Sequence, residues 1–354
     1  MKPERSTRLQ RPSRHSGPPF SFVQTMLDVY AQRSMDPGQA LAYAKIRPVS
    51  SQDGQPVWPE QVSAMQFEQF CHATMLELDD EAPGWFRRPL PWGSYGMLAR
   101  ASQGAPTLGL ALQRWCRHHR LLTEDVLLTL TTESNTATVQ IEEHLPDTAP
   151  REFALLSLLR NVHGLACWWT DSRIGLQEVA FPFPEPPHAA IYQRLFPGPA
   201  VFHMPQAALR FDAAYLDLPL RRDQADLDRM LRRALPLMVL PYQRDRLLVE
   251  RVRRLLQDNL RHTCNSLADA LAMSSRSLHR HLAAEGSSVQ ALKDEQRQAR
   301  AMKLLRQTRR PIKQVAHAAG FDNDKSFARA FRNWTGQSPE QYRAARVSSE
   351  EPPA

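Results

Sequence analysis

The sequence predicts an α+β amino-terminal domain, with a helical opening and a small, mostly antiparallel sheet, followed by an all-α domain in which a linker helix joins two helix-turn-helix units. Three observations carry this. The segments ALAMSSRSLHRHL and AHAAGFDNDKSFARAF repeat one design, a short Ala-rich helical run, a polar or glycine turn, and a second helix with an apolar and a basic side. Strand-type alternation is confined to the middle of the chain, among helical stretches. Charge is divided unevenly: Gln243 to Arg346 holds 21 Lys and Arg against 10 Asp and Glu, whereas Gly17 to Tyr242 holds 19 against 24.

A chain of 354 residues can bury two or three ordinary cores. The expected organisation is a disordered basic arm over 1–16, a first domain over 17–235, a linker over 236–246, the helix-turn-helix domain over 247–346 and a tail over 347–354. A basic carboxy-terminal block on a slightly acidic body points to a polyanion partner for that block alone. No apolar run approaches the roughly 20 residues of a membrane span, and the amino terminus has charge without the apolar stretch of a secretion signal. Four scattered cysteines, Cys71, Cys116, Cys167 and Cys264, fit a reducing cytoplasm better than a disulfide frame or a structural zinc.

In chain order, Phe20 to Arg33 has apolar residues at helical spacing, Asp36-Pro37 starts a short helix, and Val62 to Leu78 is amphipathic. Gly84 to Gly96, dense in aromatics, Pro and Gly, predicts an irregular loop of the kind that lines sites. Thr107 caps a helix to His119. Asp125 to Leu130 and Thr136 to Glu142 alternate as a β-hairpin. Arg151 to Trp169 is an unusually apolar helix, Leu176 to Phe183 a strand, His188 to Phe196 a helix, and Ala200 to Phe211 one or two strands. That order gives helices on one face of a small sheet. Asp223 to Leu235 and Gln243 to Leu260 are helical, with prolines between them.

In the first helix-turn-helix, Ser274 or Ser275 can cap the second helix, Leu278 and Leu282 face inward, and Gly286 ends it. Ser275, Arg276, His279 and Arg280 are the candidates for DNA contact. Arginine on guanine is the commonest specific base contact, and histidine can donate to a base edge or a phosphate. In the second unit Asn323 is the expected cap, Phe327 and Phe331 pack inward, and Asn323, Asp324, Lys325 and Arg329 are the contact candidates. Asp324 would repel phosphate but can accept from cytosine N4. Between the units, Val289 to Arg306 would span about 27 Å as a helix, close to the ~34 Å between successive major-groove openings. Lys293, Arg297, Arg300, Lys303, Arg306, Arg309 and Arg310 run along and after it, as candidates for phosphate contact.

The residues Ala268, Leu271, Met273-Ser274, Leu278, Arg280, Leu282 and Gly286, then Ile312, Val315-Ala316, Gly320-Phe321, Phe327, Arg329, Phe331 and Trp334-Thr335-Gly336-x-Ser338-Pro339-x-x-Tyr342, resemble the DNA-binding domain of AraC/XylS-family transcription regulators. Pro91-Trp92-Gly93-x-x-Gly96 and Phe181 to Asp212 are similar to the arabinose-binding-type effector domain of the subgroup that includes ornithine- and arginine-utilisation regulators. The resemblance implies a cytoplasmic, sequence-specific regulator of transcription whose partners are double-stranded promoter DNA and a small-molecule effector, with RNA polymerase and a homodimer admitted. Trp85, Phe86, Trp92, Tyr95, Trp168 and Trp169 are the candidates for an effector pocket, although aromatics of this size are more often core.

Two other readings compete. The first domain could serve only dimerisation or protein partners in a constitutive regulator. A DNA-modifying enzyme with this module would need a zinc-binding cysteine cluster and a reactive Pro-Cys-His-Arg, which the four cysteines do not match. No phosphate-binding glycine loop, nucleophile elbow or zinc-protease signature occurs, so no catalytic residue and no cofactor is expected. Cys116 with His118-His119 makes a poor ligand set, because adjacent helix positions diverge by about 100°.

Overall fold

A computed structural model describes residues 17–52, 55–233 and 245–347. The expected basic arm, most of the expected linker and all but the first residue of the tail lie outside the described residues. The chain divides into two compact units between residues 243 and 244.

The first unit opens with α1 (Phe20–Gln32), α2 (Gly38–Tyr43) and α3 (Ala64–Glu77). The apolar side of α1 buries Phe22, Val23, Met26 and Tyr30. Its polar atoms then tie it to the end of α3: Tyr30 Oη donates to Glu77 at 2.5 Å and Arg33 pairs with Asp80 at 2.6 Å. Ser63 and Gln66 form a reciprocal capping box that starts α3. A short hairpin, β1 (Ser50–Gln52) and β2 (Gln55–Val57), lies between α2 and α3 and was not expected from the sequence; strands of three residues are too short to show a period.

The aromatic loop is shorter than expected, because α4 (Ser94–Gln103) begins inside it. The reason is tertiary. Gly93 takes a left-handed conformation at φ 98°, and the carboxylate of Glu81 accepts from the Gly93 and Tyr95 amides at 2.9 and 2.7 Å. A remote acid thus satisfies amides that a local cap would otherwise hold. Thr107 caps α5 (Leu108–His119) as expected.

The main sheet has the order β3-β4-β7-β5-β6, from β3 (Val126–Glu133), β4 (Thr136–Glu143), β5 (Leu176–Ala180), β6 (Ala200–Val201) and β7 (Ala207–Asp212). All pairs are antiparallel except β5 with β6. Along β4, Ala137, Val139 and Ile141 are buried while Thr138 and Gln140 are half-exposed, so one face is covered. The cover is α5 and α6 (Arg151–Thr170). Nearly the whole of α6 is buried, which explains its apolar composition. It ends at Asp171, held in the left-handed region at φ 50° and paired with Arg222 at 2.7 Å. The unit is completed by α7 (Ala190–Leu195), a 3-10 turn (Ala213–Asp217) and α8 (Gln224–Leu231).

The second unit is helical: α9 (Leu247–Asp258), α10 (Cys264–Ala270), α11 (Ser275–Ala284), α12 (Val289–Gln307), α13 (Ile312–Ala318), α14 (Asp324–Thr335) and α15 (Pro339–Val347). It has two cores. Val252, Leu256, Leu267, Leu278, Leu282 and Leu292 belong to the first, and Ala301, Leu305, Val315, Phe327 and Phe331 to the second. Helix α12 supplies residues to both, its amino-terminal half to one and its carboxy-terminal half to the other. Among the described residues of the whole chain, no helix is long and apolar enough to cross a membrane.

Candidate nucleic-acid interface

Two helix-turn-helix pairs, α10–α11 and α13–α14, stand on the shared α12. Each turn is built differently. In the first, Ala272 takes φ 53° and Ser274 caps α11 by accepting from the Ser277 amide at 3.2 Å. Of the two serines open to that role, Ser274 therefore fills it. Ser275 is the first helical residue, and its hydroxyl donates to Asn265 Oδ1 at 2.7 Å, joining the two helices of the pair. In the second, Gly320 takes φ 78°, with the Leu260 Cβ only 3.1 Å from where a side chain would begin. The positive φ favours glycine there, and an added Cβ would also crowd the Leu260 side chain. Asn323 caps α14, its Oδ1 accepting from the Ser326 amide at 2.8 Å.

The inward sides of α11 and α14 bury Leu278 and Leu282, and Phe327 and Phe331. Helical spacing then puts Arg276, His279 and Arg280 on the exposed side of α11, and Lys325 and Arg329 on that of α14. Arg276, Arg280, Lys325 and Arg329 make no ion pair or side-chain hydrogen bond among the described residues. His279 Nε2 lies 3.2 Å from Cys264 Sγ, so part of its bonding capacity faces α10. Asp324 is exposed in the first turn of α14, where its charge complements the helix dipole. That gives this acid a local reason independent of any base. Of the eight candidates, Ser275 and Asn323 carry architecture, His279 is shared, and Arg276, Arg280, Asp324, Lys325 and Arg329 present ungathered polar groups.

The linker cations divide sharply. Arg297 Nη2 donates to the Gly320 carbonyl at 2.9 Å, and its guanidinium lies 4.8 Å from the centre of the Phe321 ring. Lys293 Nζ donates to the His262 carbonyl at 3.0 Å, and burial lowers its pKa. The Arg306 guanidinium lies 5.5 Å from the centre of the Tyr342 ring. These three have partners within the unit, Arg306 while itself exposed; Arg300, Lys303, Arg309 and Arg310 are exposed. Arg297→Met is expected to destabilise the second unit by about 1.5–3 kcal/mol, the range for a hydrogen bond to a charged donor. Urea unfolding would show it as a lower midpoint, and an unchanged midpoint would refute the clamp.

Among the described residues, the aromatic candidates of the first unit are placed by packing against neighbouring rings. Trp85, Phe86, Trp168 and Trp169 are buried, Tyr95 is half-buried and Trp92 is 44% exposed. Trp85 packs edge-on against Phe153, Phe86 against His119, Tyr95 stacks on Trp115, and Trp115 meets Trp169 edge-on. Trp168 carries the Arg222 guanidinium at 5.7 Å, and Trp92 sits against His72. For Trp85, Phe86, Trp168 and Trp169 this is core packing; Trp92 stays at the surface. A cavity lies elsewhere, bounded by Phe22, Phe67, Phe153, Ser157 and Arg160, residues that local sequence pattern does not bring together. Its signal was present: Arg160 and His163 are ionisable residues three apart in the middle of a largely apolar helix.

A chain that joins an α+β domain to two helix-turn-helix pairs with open cationic faces has the construction of a DNA-binding regulator. Residues 35–220 match the arabinose-binding domain found at the amino terminus of AraC transcription regulators, and residues 267–345 match a helix-turn-helix domain. The chain belongs to the AraC family of transcription regulators. It is 27% identical over 332 residues to the ornithine utilization regulator of Pseudomonas aeruginosa, covering 92% of this chain and 96% of that one. It is 27% identical over 298 residues to the regulator VirS of Mycobacterium tuberculosis, covering 80% and 84%. Among solved structures, the regulator CdpR of Pseudomonas aeruginosa aligns over 94% of this chain and 100% of its own at 20% identity and a TM-score of 0.32.

Proposed function

We propose that this regulator reads double-stranded promoter DNA with α11 and α14 together, and that its amino-terminal unit sets the response by binding a small metabolite. The observation that carries the DNA reading is the pair of exposed cationic faces. Arg276 with Arg280, and Lys325 with Arg329, are four apart on their helices, uncommitted among the described residues, and backed by buried cores. Helix α12, at 19 residues and about 28 Å, is long enough to set the two reading helices near successive major grooves. Exposed Arg300, Lys303, Arg309 and Arg310 supply candidates for phosphate contact, which would make affinity fall steeply with salt.

In this reading Ser275 and Asn323 position the helices, while Asp324 selects against or for particular bases by charge. RNA polymerase and a second copy of the chain are proposed as further partners, and the cytoplasm as the site of action. No catalytic role is proposed. Ligand can alter transcription only by binding one arrangement of the protein better than another.

Fluorescence titration of the protein against the DNA upstream of its own gene and against random duplex, at physiological salt, tests the reading. Equal affinity for both would sink it. Arg280→Ala and Arg329→Ala are each expected to weaken specific binding by about 1–3 kcal/mol. Their effect on stability should stay within about 0.5 kcal/mol, as for exposed side chains without structural partners. A variant that loses stability and affinity together would show the arginine to be structural.

A further inference from the structure

Helix α12 carries both reading pairs, yet its middle is packed into neither core. Val289 and Leu292 belong to the first core and Ala301 and Leu305 to the second, and none of residues 293–300 between them is buried. That stretch covers about 12 Å. Its own hydrogen bonds are all that keep an unpacked helical stretch straight, and short helices without packing are marginal in water. On α12 alone, the two pairs would be free to swing against each other.

A second connection crosses this gap, through the turn at residues 259–263 between α9 and α10. Leu260 is 5% exposed and belongs to neither core. Its Cβ lies 3.1 Å from where a side chain on Gly320 would begin, so the turn of the second pair closes directly on it. Beside it, Arg261 Nη2 lies 3.5 Å from His317 Nε2 on α13, and the His262 carbonyl accepts from Lys293 Nζ at 3.0 Å. One helical turn further along α12, Arg297 donates to the Gly320 carbonyl at 2.9 Å and covers the Phe321 ring. Lys293 thus grips the turn that leads into the first pair and Arg297 the turn inside the second, while those two turns touch. Arg253 of α9 also pairs with Glu295 of α12 at 2.9 Å. Elements joined in a closed triangle resist a rotation that a single helix would allow.

We infer that Leu260, Arg261, His262 and Arg297 form a brace that fixes the distance and angle between α11 and α14, so that the spacing of the two contact sites on DNA is read as strictly as their bases. These are positioning residues, which act through the helices they hold and need not touch a base. The inference rests on the proposed reading of DNA by both helices and names what sets its geometry. One base pair inserted between the sites rotates the second by about 35° and moves it about 3.4 Å. Two pairs that swing freely would follow such a shift, and a braced pair would lose one of its contacts.

Pulsed electron-resonance distances test the brace without DNA. Spin labels go on the full chain at Ala283→Cys of α11 and Asn333→Cys of α14, both exposed, with Cys264→Ser, the other three cysteines being buried. The parent is expected to give one narrow distribution. Leu260→Ala combined with Arg297→Met should give a broad one, while far-UV circular dichroism keeps its helical signal. Leu260→Ala alone, a truncation outside both cores, replaces the pair of substitutions if together they unfold the second unit. On the DNA upstream of its own gene, with contact sites located by footprinting, one base pair inserted or deleted between the sites should weaken the parent at least about tenfold, the scale of one mismatched pair. The unbraced variant should bind native and altered spacing alike. A broad parent distribution, a variant as narrow as the parent, or a variant that keeps the full spacing preference would each overturn the brace. Absence of any footprint would remove the DNA reading instead, and the label distances would still decide the brace.

Discussion

Replacing Phe331 by alanine is expected to abolish DNA binding by unfolding the second helix-turn-helix, although Phe331 lies on the buried side of α14. Its side chain is fully buried, with ring centres 5.6 Å from Phe327, 6.4 Å from Trp334 and 5.3 Å from Tyr342. Truncation of a buried phenylalanine costs about 3–5 kcal/mol, through lost burial and the cavity left behind. Small domains have only about 5–15 kcal/mol in total, and here one ring joins successive turns of α14 to each other and to α15. Urea unfolding should show the second unit's midpoint falling sharply, with affinity lost for specific and random DNA alike. Phe331→Leu should recover most of both. Full DNA binding by Phe331→Ala would mean that α14 is held by something other than this cluster. The contrast with Arg329→Ala is the useful one, since that variant should lose affinity and keep its fold.

The second large effect is acid destabilisation of the first unit. His119 is fully buried beside Phe86, with Nε2 3.4 Å from Tyr95 Oη, and burial pushes its pKa down to about 4. His163 is pushed down to about 3, by burial first and then by Arg160. In the unfolded chain both would titrate near 6.5. Between those values the unfolded chain binds protons that the folded chain refuses, so stability is full above about pH 6.5 and falls as pH drops through the window. By pH 4 the loss is on the order of 3 kcal/mol for each histidine. Near-UV circular dichroism melts at pH 7.5 and 4.5 would measure it. His119→Gln should flatten the pH dependence, and an unchanged slope in that variant would remove His119 from the account.

Much of the DNA-binding half could be read without coordinates. Its helices are short and locally specified: Ser274 and Asn323 cap, Gly320 and Gly336 take positive φ, and the apolar spacing of Leu278 with Leu282 and Phe327 with Phe331 fixes which side faces out. Once that side is known, Arg276, Arg280, Lys325 and Arg329 follow. The linker cations could not be sorted in this way. Arg297 and Arg300 are both arginines on one helix, and only the approach of Gly320 and Phe321 makes the first a clamp. The amino-terminal half was harder because its decisive contacts are remote. Glu81 starts α4 from twelve residues away, and of the aromatics expected to line a pocket, Trp85 and Trp169 pack edge-on against Phe153 and Trp115.

By itself, then, the sequence determined the two helix pairs, their capped turns, the basic faces they present and the mixed architecture in front of them. All of these follow from local conformation and from the period of apolar residues. Tertiary structure alone decided which cations are spent inside the protein, which aromatics are buried and where a cavity remains. Those outcomes depend on burial and on contacts between residues far apart in the chain, and periodicity carries no record of either. Arg160 shows the division well: its place in an apolar helix was visible as a polar break, and its position in a cavity walled by Phe22, Phe67 and Phe153 was not.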